Sequence, residues 1–340
     1  MTRPIRVSFI VPAYNAIDTL PRCLAALLSD MDDESEIIVV DDASQDDSAS
    51  LARETGVRVI TQDTNSGPGI TRNIGAAQAA GDILVFVDSD VEIKQGTRAQ
   101  ILAFFDQNPQ VASVFGSYDD SPSVQGTVSQ YRNLLHHFVH QASPCQASHF
   151  WGGLGAVKTS AFQAVGGFAC SGPFCRKIED VEFGYRLRAQ GHEIRLEKSI
   201  QGKHLKGWSL YSMIRTDVLI RALPWTQLVL ERKLAPDDFS LSWAHRLSVM
   251  LSGVIALSIL SVPFAPDALF IAATALMIFI ANNFNLFRFF NAHGGIAFAA
   301  QCVGLHIFYN FYTGLSFIFG LFRHTIMPNT ELSVPKTEDT

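Results

Sequence analysis

The sequence has few cysteines, and none of them is arranged like a disulfide framework or a metal site. Its 340 residues contain five, an odd number without the close pairs that zinc sites use: Cys23, Cys145, Cys170, Cys175 and Cys302. A reducing compartment is therefore expected. Basic charge is also scarce, because 26 Lys and Arg face 32 Asp and Glu, for a formal net charge of −6. A nucleic-acid partner usually requires a basic stripe, so none is expected.

Two phosphate-binding signatures are also missing. No GxGxxG follows the first apolar run, residues 7–11, and GxxxxGK[ST] occurs nowhere in the chain. Any nucleotide would therefore be held through side chains and a metal ion. The same apolar run meets Pro12 too soon to be the core of a signal peptide, so we expect the globular part to remain in the cytoplasm.

Long apolar segments are confined to the C-terminal part of the chain. Residues 247–264, 268–287 and 296–321 approach the roughly 20 apolar residues that span a bilayer. They lack the polar stripe of a soluble bundle, which favours membrane helices over the alternative, a buried helical core. The third segment also carries polar residues, which indicate an interfacial or inward-packed helix: Gln301, His306 and Asn310.

Basic residues flank the first two of these segments. Arg232, Lys233 and Arg246 precede the first, and Arg288 follows the second. Cytoplasmic loops carry an excess of Lys and Arg, so both ends of this helical hairpin are predicted to lie on the cytoplasmic side of the membrane.

Strands alternate with helices at the start of the chain. Apolar, β-branched runs predict strands at residues 7–11, 36–40, 57–61 and 83–87. Helical spacing of apolar residues predicts helices at residues 16–28, 48–54 and 70–80. This alternation is typical of an α/β fold with a mainly parallel, doubly wound sheet and flanking helices. Ligands of such sheets bind beyond the carboxyl ends of the strands, where the polar sequences PAYN, DDASQDD and DSD lie.

The sequence DSD follows the apolar run ILVFV directly. Because extended chain repeats every two residues, Asp88 and Asp90 can point the same way. Two carboxylates on one side of a strand end form a hard-oxygen site for a divalent cation such as Mg²⁺ or Mn²⁺. The alternative is a solvated acidic turn.

Four segments together resemble the family 2 nucleotide-sugar glycosyltransferases. They are VSFIVPAYNAIDTLPRCLAALL, EIIVVDDASQDDS, NSGPGITRNIGAAQAAGDILVFVDSD and IEDVEFGYRLRAQGH, in this order between residues 5 and 204. The resemblance implies a GT-A, Rossmann-like fold, a UDP- or GDP-sugar donor, and transfer with inversion at the anomeric carbon. It also implies that the acceptor is a glycan or a lipid-linked molecule.

The resemblance also assigns residues to the donor site. Those expected to contact the nucleotide and its phosphates are Pro12, Ala13, Tyr14, Asn15, Asp41, Asp42, Ser44, Gly67, Arg72, Asp88 and Ser89. A carboxylate such as Asp41 can accept the imide N–H of uracil, whereas helix capping is the alternative role for Asp42 and Ser44. The glycine-rich loop before a helix suits phosphate, as does the cation of Arg72, with a plain turn and a surface arginine as the alternative.

Metal, catalytic and acceptor residues follow from the same resemblance. The expected metal ligands are Asp88, Asp90 and His204. Asp180 matches the base that deprotonates the acceptor hydroxyl, and Glu179 would orient it or contact the acceptor. The expected acceptor-side residues are Trp151, Gly152 and Gly153. A core tryptophan, a structural histidine and a helix-dipole role for the acidic pair are the alternatives.

The domain prediction places a glycosyltransferase domain at residues 1–204 and interfacial linker helices at 205–245. Two to three transmembrane helices follow at 246–325, with a disordered tail at 326–340. The catalytic domain would thus face the cytoplasm at the cytoplasmic membrane. Processive relatives carry a Gln-x-x-Arg-Trp motif, which is missing before Trp225, so transfer of a single sugar is favoured. A nucleotidyltransferase and an inactive membrane scaffold remain as alternatives.

Overall fold

The computed structural model describes residues 5–172, 174–232 and 243–326. The chain divides into two compact units. The first contains Met1–Val124 and Val139–Gly207, and the second contains Gln125–Phe138 and Trp208–Thr340. The predicted tail after residue 326 lies outside the described residues, as does Lys233.

Nine strands of the first unit form one sheet. In chain order they are β1 (Val7–Ala13), β2 (Ser35–Asp41), β3 (Arg58–Thr61), β4 (Ile83–Val87), β5 (Val91–Ile93), β6 (Val111–Tyr118), β7 (Gln146–Ala147), β8 (Leu154–Lys158) and β9 (Glu193–His204). Helices cover the sheet or lead into the second unit. The first seven are α1 (Leu20–Ser29), α2 (Ser48–Glu54), α3 (Pro68–Gln78), α4 (Thr97–Gln107), α5 (Thr127–Ala142), α6 (Thr159–Ala164) and α7 (Glu179–Ala189).

The half of the sheet formed by β3, β2, β1 and β4 is parallel, as the sequence predicts. Every residue of β4 is buried, which a strand in a sheet covered on both faces requires. The other half is mixed. Strand β8 runs antiparallel to β4 and β6, β9 is parallel to β6, and β5 and β7 are antiparallel to β9. Six of the nine strands thus run in one direction, which confirms a mostly parallel α/β sheet.

The core of the first unit lies on both faces of this sheet. Phe9 and Val85 pack on one face, whereas Ile10 and Phe86 pack on the other, because successive side chains of a strand point to opposite faces. Five phenylalanine rings fill the second face with centroids at 4.8–6.3 Å: Phe86, Phe150, Phe162, Phe168 and Phe183. This packing fixes β4 and the start of α7, which carry the acidic motifs.

The second unit is helical. Its further helices are α8 (Leu210–Arg215), a π-helical segment (Thr216–Ala222), α9 (Leu223–Arg232), α10 (Trp243–Ser261), α11 (Ala268–Asn282) and α12 (Phe284–Ile326). Pro224 lacks the N–H that a continuing α-helix needs and its ring crowds the preceding turn, which accounts for the widened segment before it. By length and composition, α10 and α12 could each cross a membrane.

The observed helix boundaries differ from the predicted second apolar segment. Helix α11 ends at Asn282, because the next residue, Asn283, leaves the helical region with φ of −108° and ψ of 20°. The Asn282 side chain donates to the carbonyl of Ala244 at 2.8 Å, and Asn283 donates to Oγ of Ser248 at 2.9 Å. Residues 284–287 therefore begin α12. This last helix bends at Gly295, whose φ of 76° lies in the left-handed region, so the part beyond it matches the predicted start at residue 296.

One face of α12 packs inward with His306 and Asn310, whereas Gln301 is exposed. His306 accepts or shares a hydrogen bond with the Tyr131 hydroxyl at 2.9 Å, and Gln301 accepts from Thr127 at 2.7 Å. The Tyr312 hydroxyl donates to Asp217 at 2.7 Å. The first part of α5 thus belongs to the second unit, which no feature of the sequence indicated.

Candidate active site

The loops that follow β1 and β2 are joined by hydrogen bonds. The backbone N–H of Asn15 donates to Oγ of Ser44 at 3.0 Å, and the N–H of Gln45 donates to Oδ1 of Asn15 at 2.8 Å. Asn15 and Ala43 have positive φ values of 47° and 60°, which cost a non-glycine residue about 1–2 kcal/mol. The fold therefore maintains strained backbone at the carboxyl edge of the sheet, where Pro12, Ala13 and Tyr14 also lie.

Asp41 ends β2 and is only 1% exposed. Its Oδ2 accepts the backbone N–H of Ser44 at 3.3 Å, whereas its Oδ1 is buried without a hydrogen-bond partner. A buried carboxylate oxygen that receives no hydrogen is costly, so a donor at this position is favoured. The side chain therefore suits a ligand that presents an N–H group.

Asp42 has a local role that sequence analysis missed. Its carboxylate accepts hydrogen bonds from the backbone N–H groups of Ser66 at 2.7 Å and Gly67 at 2.8 Å. The side chain of Gln62 donates to it as well, at 2.9 Å. Asp42 thus fixes the glycine-containing loop before α3. The backbone N–H donors of that loop were the available signal for this role. Neither oxygen caps the following helix.

Arg72 of α3 is buried, which excludes the surface arginine considered as an alternative. Its Nη2 donates to Oδ1 of Asp88 at 2.6 Å, and its Nη1 donates to Oε1 of Glu179 at 2.6 Å. The guanidinium therefore joins the acidic motif after β4 to the acidic motif that begins α7. Sequence analysis assigned Arg72 to the donor phosphates and did not foresee these two carboxylate contacts.

The two aspartates of the DSD sequence are half-buried and have different partners. Asp88 contacts Arg72, whereas Oδ2 of Asp90 lies 3.4 Å from Nε2 of His204. Burial raises the pKa of Asp88, and the charge of Asp90 adds to this against the opposing effect of Arg72. Burial also acts to raise the pKa of Asp90, but the hydrogen bond and charge of His204, with the charge of Lys206, lower it overall. Ser89 lies between them and is also half-buried.

His204 ends β9 and is buried beside Asp90. The ring of Tyr118, at the end of β6, stacks on its imidazole at 4.2 Å. The sequence analysis did not predict Tyr118 as a site residue. The acidic pair that follows it at the end of β6, like the acidic pairs at the ends of β2 and β4, was an available signal. The structure thus brings His204 to the predicted metal site through Asp90.

The acidic pair that begins α7 is linked to the DSD sequence through Arg72. Burial raises the pKa of Glu179 to about 7, with Arg72 opposing and Asp180 adding to the shift. Asp180 is less buried. Its Oδ1 accepts the N–H of Val181 at 2.8 Å and its Oδ2 accepts the N–H of Gly152 at 3.1 Å. These bonds hold the Asp180 carboxylate in place at the N-terminus of α7.

Gly152 and Gly153 allow the close packing around this pair. A Cβ added to Gly152 would lie 3.0 Å from Cζ of Arg72, and one on Gly153 would lie 2.5 Å from the Trp151 ring. The ring of Trp151 is half-buried and meets the Tyr118 ring edge-on at 4.8 Å. It packs against both core clusters, so Trp151 has a packing role whether or not its exposed part also faces an acceptor.

The charges of the site fit a divalent cation. The carboxylates of Asp88, Glu179 and Asp180 interact with one guanidinium, that of Arg72, and Asp90 lies beside Asp88. Hard oxygen donors of this kind bind Mg²⁺ and Mn²⁺. Among the described residues, no group of three or more His, Cys, Asp or Glu side chains is arranged to hold a metal ion. Asp88, Asp90 and His204 are therefore neighbours but do not form a three-ligand set.

Comparisons with known proteins identify similar sequences. The family model described as glycosyl transferase family 2 matches residues 8–166. An uncharacterized glycosyltransferase of Haemophilus influenzae is 27% identical over 53% of this chain and 61% of its own length. The succinoglycan biosynthesis protein ExoO of Rhizobium meliloti is 37% identical over 26% of each chain. This chain thus spans about a quarter to three-fifths of the length of these relatives.

A solved structure supports the fold. The mannosyltransferase PcManGT of Pyrobaculum calidifontis, in complex with GDP-Man and Mn²⁺, has a TM-score of 0.56 and 18% identity, covering 96% of this chain and 90% of its own. At this identity the likeness concerns the fold alone, and it agrees with the predicted GT-A sheet. Residues 8–166, just under half of the chain, thus resemble glycosyltransferase family 2.

Proposed function

We propose that the chain is a metal-dependent, inverting glycosyltransferase that moves one sugar from a UDP- or GDP-sugar to a glycan, lipid-linked or other acceptor. The observation that carries this proposal is the link through Arg72 between the DSD sequence and the acidic pair of α7. Donor-side carboxylates and a candidate base thus belong to one cluster. GDP-Man and Mn²⁺ in the structure of PcManGT support a nucleotide-sugar donor and a divalent cation.

Each residue has a stated role in this proposal. Asp41 accepts an N–H of the nucleotide base through its unpartnered Oδ1. Asp88 and Asp90 would hold the cation, with His204 at Asp90, and a bound cation neutralises the diphosphate leaving group as a Lewis acid. Asp180 removes the proton of the acceptor hydroxyl as that hydroxyl attacks the anomeric carbon from the face opposite the diphosphate. Attack from that face inverts the configuration.

The second unit supports a location at a membrane. Of the 27 exposed large hydrophobic side chains in the described ranges, 22 lie between residues 243 and 326. So many exposed hydrophobic side chains in one region are rare on soluble monomers. We propose that a lipid bilayer covers them. With Arg246 and Arg288 at the flanks, the active site would face the cytoplasm. The similarity to ExoO, a succinoglycan biosynthesis protein, supports our proposal of a role in exopolysaccharide or cell-envelope glycan synthesis.

A donor panel tests the proposal. The full-length protein in detergent is mixed with UDP- and GDP-sugars and Mn²⁺, with and without EDTA, and the products are identified by mass spectrometry. We expect one donor to release nucleoside diphosphate, and EDTA should abolish this release. A nucleotidyltransferase would instead form or consume pyrophosphate. An inactive scaffold would bind nucleotide without turnover, and either result would contradict the proposal.

A further inference from the structure

Arg72 contacts both acidic motifs of the site with one side chain. The distances to Asp88 and Glu179 are both 2.6 Å, and the two partners lie 16 and 107 residues away in the sequence. Two carboxylates from separate elements therefore share a single planar guanidinium. Arginine is suited to this arrangement, because its donors form a rigid fork that a lysine ammonium does not reproduce.

The surroundings of Arg72 hold it in this position. The side chain is 4% exposed, and its Cζ lies 5.5 Å from the centroid of the Phe168 ring. Its Nε is buried without a hydrogen-bond partner. A Cβ on Gly152 would lie 3.0 Å from Cζ, and a Cβ on Gly69 would lie 2.9 Å from Cγ of Glu179. The two glycines thus leave the space that the Arg72–Glu179 pair fills.

The position of Arg72 has an electrostatic consequence for cation binding. Oδ1 of Asp88 accepts a hydrogen bond from Arg72, and a divalent cation at Asp88 and Asp90 would bind the same carboxylate. The guanidinium and the cation therefore compete, and like charges close together repel. Among the contacts described above, no cation competes with Arg72 for Glu179. The Arg72–Glu179 pair would therefore remain when Asp88 binds a divalent cation.

We propose that Arg72 is a positioning residue that couples cation binding at Asp88 to the placement of Asp180. It keeps Glu179, and with it the start of α7, in place while it shares Asp88 with the cation. This inference rests on the proposed function and replaces direct phosphate contact as the role of Arg72. The two roles predict opposite effects of the same substitutions.

The test measures Mn²⁺ binding without nucleotide and UDP binding without metal, both by calorimetry. Arg72→Gln removes the competing charge, so Mn²⁺ should bind about 10-fold more tightly, while the affinity for metal-free UDP should be unchanged. Arg72→Lys keeps the charge but contacts one carboxylate only. Its Mn²⁺ affinity should stay near native, whereas kcat should fall about 100-fold with little change in the donor KM, because the base is misplaced.

Each of the following results would overturn the inference. Loss of metal-free UDP affinity in Arg72→Gln would show that Arg72 contacts the phosphates. Unchanged or weaker Mn²⁺ binding in that variant would show that Arg72 does not compete with the cation, and native turnover of Arg72→Lys would show that the fork is dispensable. Native protein that binds UDP but no Mn²⁺ would contradict the metal site of the proposed function as well, so the two failures are distinguishable.

Discussion

Replacement of Asp180 by Asn tests the proposed base directly. Asn has nearly the size of Asp but cannot take a proton from the acceptor hydroxyl. A general base contributes about 10²–10⁴-fold to rate, so Asp180→Asn should lower turnover by about that factor. Donor affinity should be retained, because Asp41, Asp88 and Asp90 lie on other loops.

The structure also sets the cost to stability. Both oxygens of Asp180 accept backbone N–H groups, from Val181 and Gly152, and the Asn amide can satisfy only one of them. Loss of one such bond and of a negative charge at a helix N-terminus costs about 1–2 kcal/mol in the free energy of unfolding. That cost is small against typical stabilities of about 5–15 kcal/mol, so the variant should fold.

The assay compares kcat for sugar transfer with the affinity for UDP, and circular dichroism checks the fold. Glu179→Gln is the matched control, because it removes the neighbouring carboxylate and should reduce turnover less than Asp180→Asn. Native turnover in Asp180→Asn together with an inactive Glu179→Gln would mean that the roles are exchanged. Activity in both would place the base elsewhere and refute the reasoning.

Three further predictions concern other parts of the chain. Asp41→Asn should weaken UDP binding about 10-fold. It should also reduce the preference of the protein for UDP over CDP, because the Asn amide can donate to N3 of cytosine. If calorimetry shows an unchanged preference, Asp41 does not contact the base. Because the pKa of Glu179 rises to about 7, the folded chain holds a proton that the unfolded chain releases from about pH 4.5 upward. The free energy of unfolding should therefore fall as the pH rises to 7 in native protein but not in Glu179→Gln, and equal melting profiles would contradict the shift. Met250→Lys, at an exposed position of α10, should reduce membrane recovery of the protein, because a lysine near the middle of a membrane helix costs about 2.5–3.5 kcal/mol; undiminished recovery, or native protein that is soluble without detergent, would refute membrane insertion.

The sequence predicts the parallel half of the fold well, because its signals are local. The apolar run of β4 and the acidic residues after it are contiguous, and the observed strand has the predicted bounds of residues 83–87. The reversed direction of β8 and the pairing of β9 with three other strands depend on contacts between distant residues, which periodicity does not encode. Membership of residues 125–138 in the second unit has the same cause.

The candidate site shows the same division between local and distant information. The resemblance to a family identified the residue types at each strand end, but it did not indicate how they contact one another. Asp42 illustrates this, because its partners in the loop at residues 62–67 are 20 to 25 residues away. The Arg72–Glu179 pair and the stack of Tyr118 on His204 likewise require the folded sheet.

The measurement that tests the central claim most directly is the Mn²⁺ dependence of sugar transfer in Asp90→Ala. The Asp90 side chain is about a quarter exposed and contacts His204, so the variant should fold. Native protein should release nucleoside diphosphate with Mn²⁺, lose this activity in EDTA and regain it when Mn²⁺ is added back. Asp90→Ala should show no stimulation by Mn²⁺ and at least about 100-fold lower turnover. Near-native transfer by Asp90→Ala in Mn²⁺ would contradict the account.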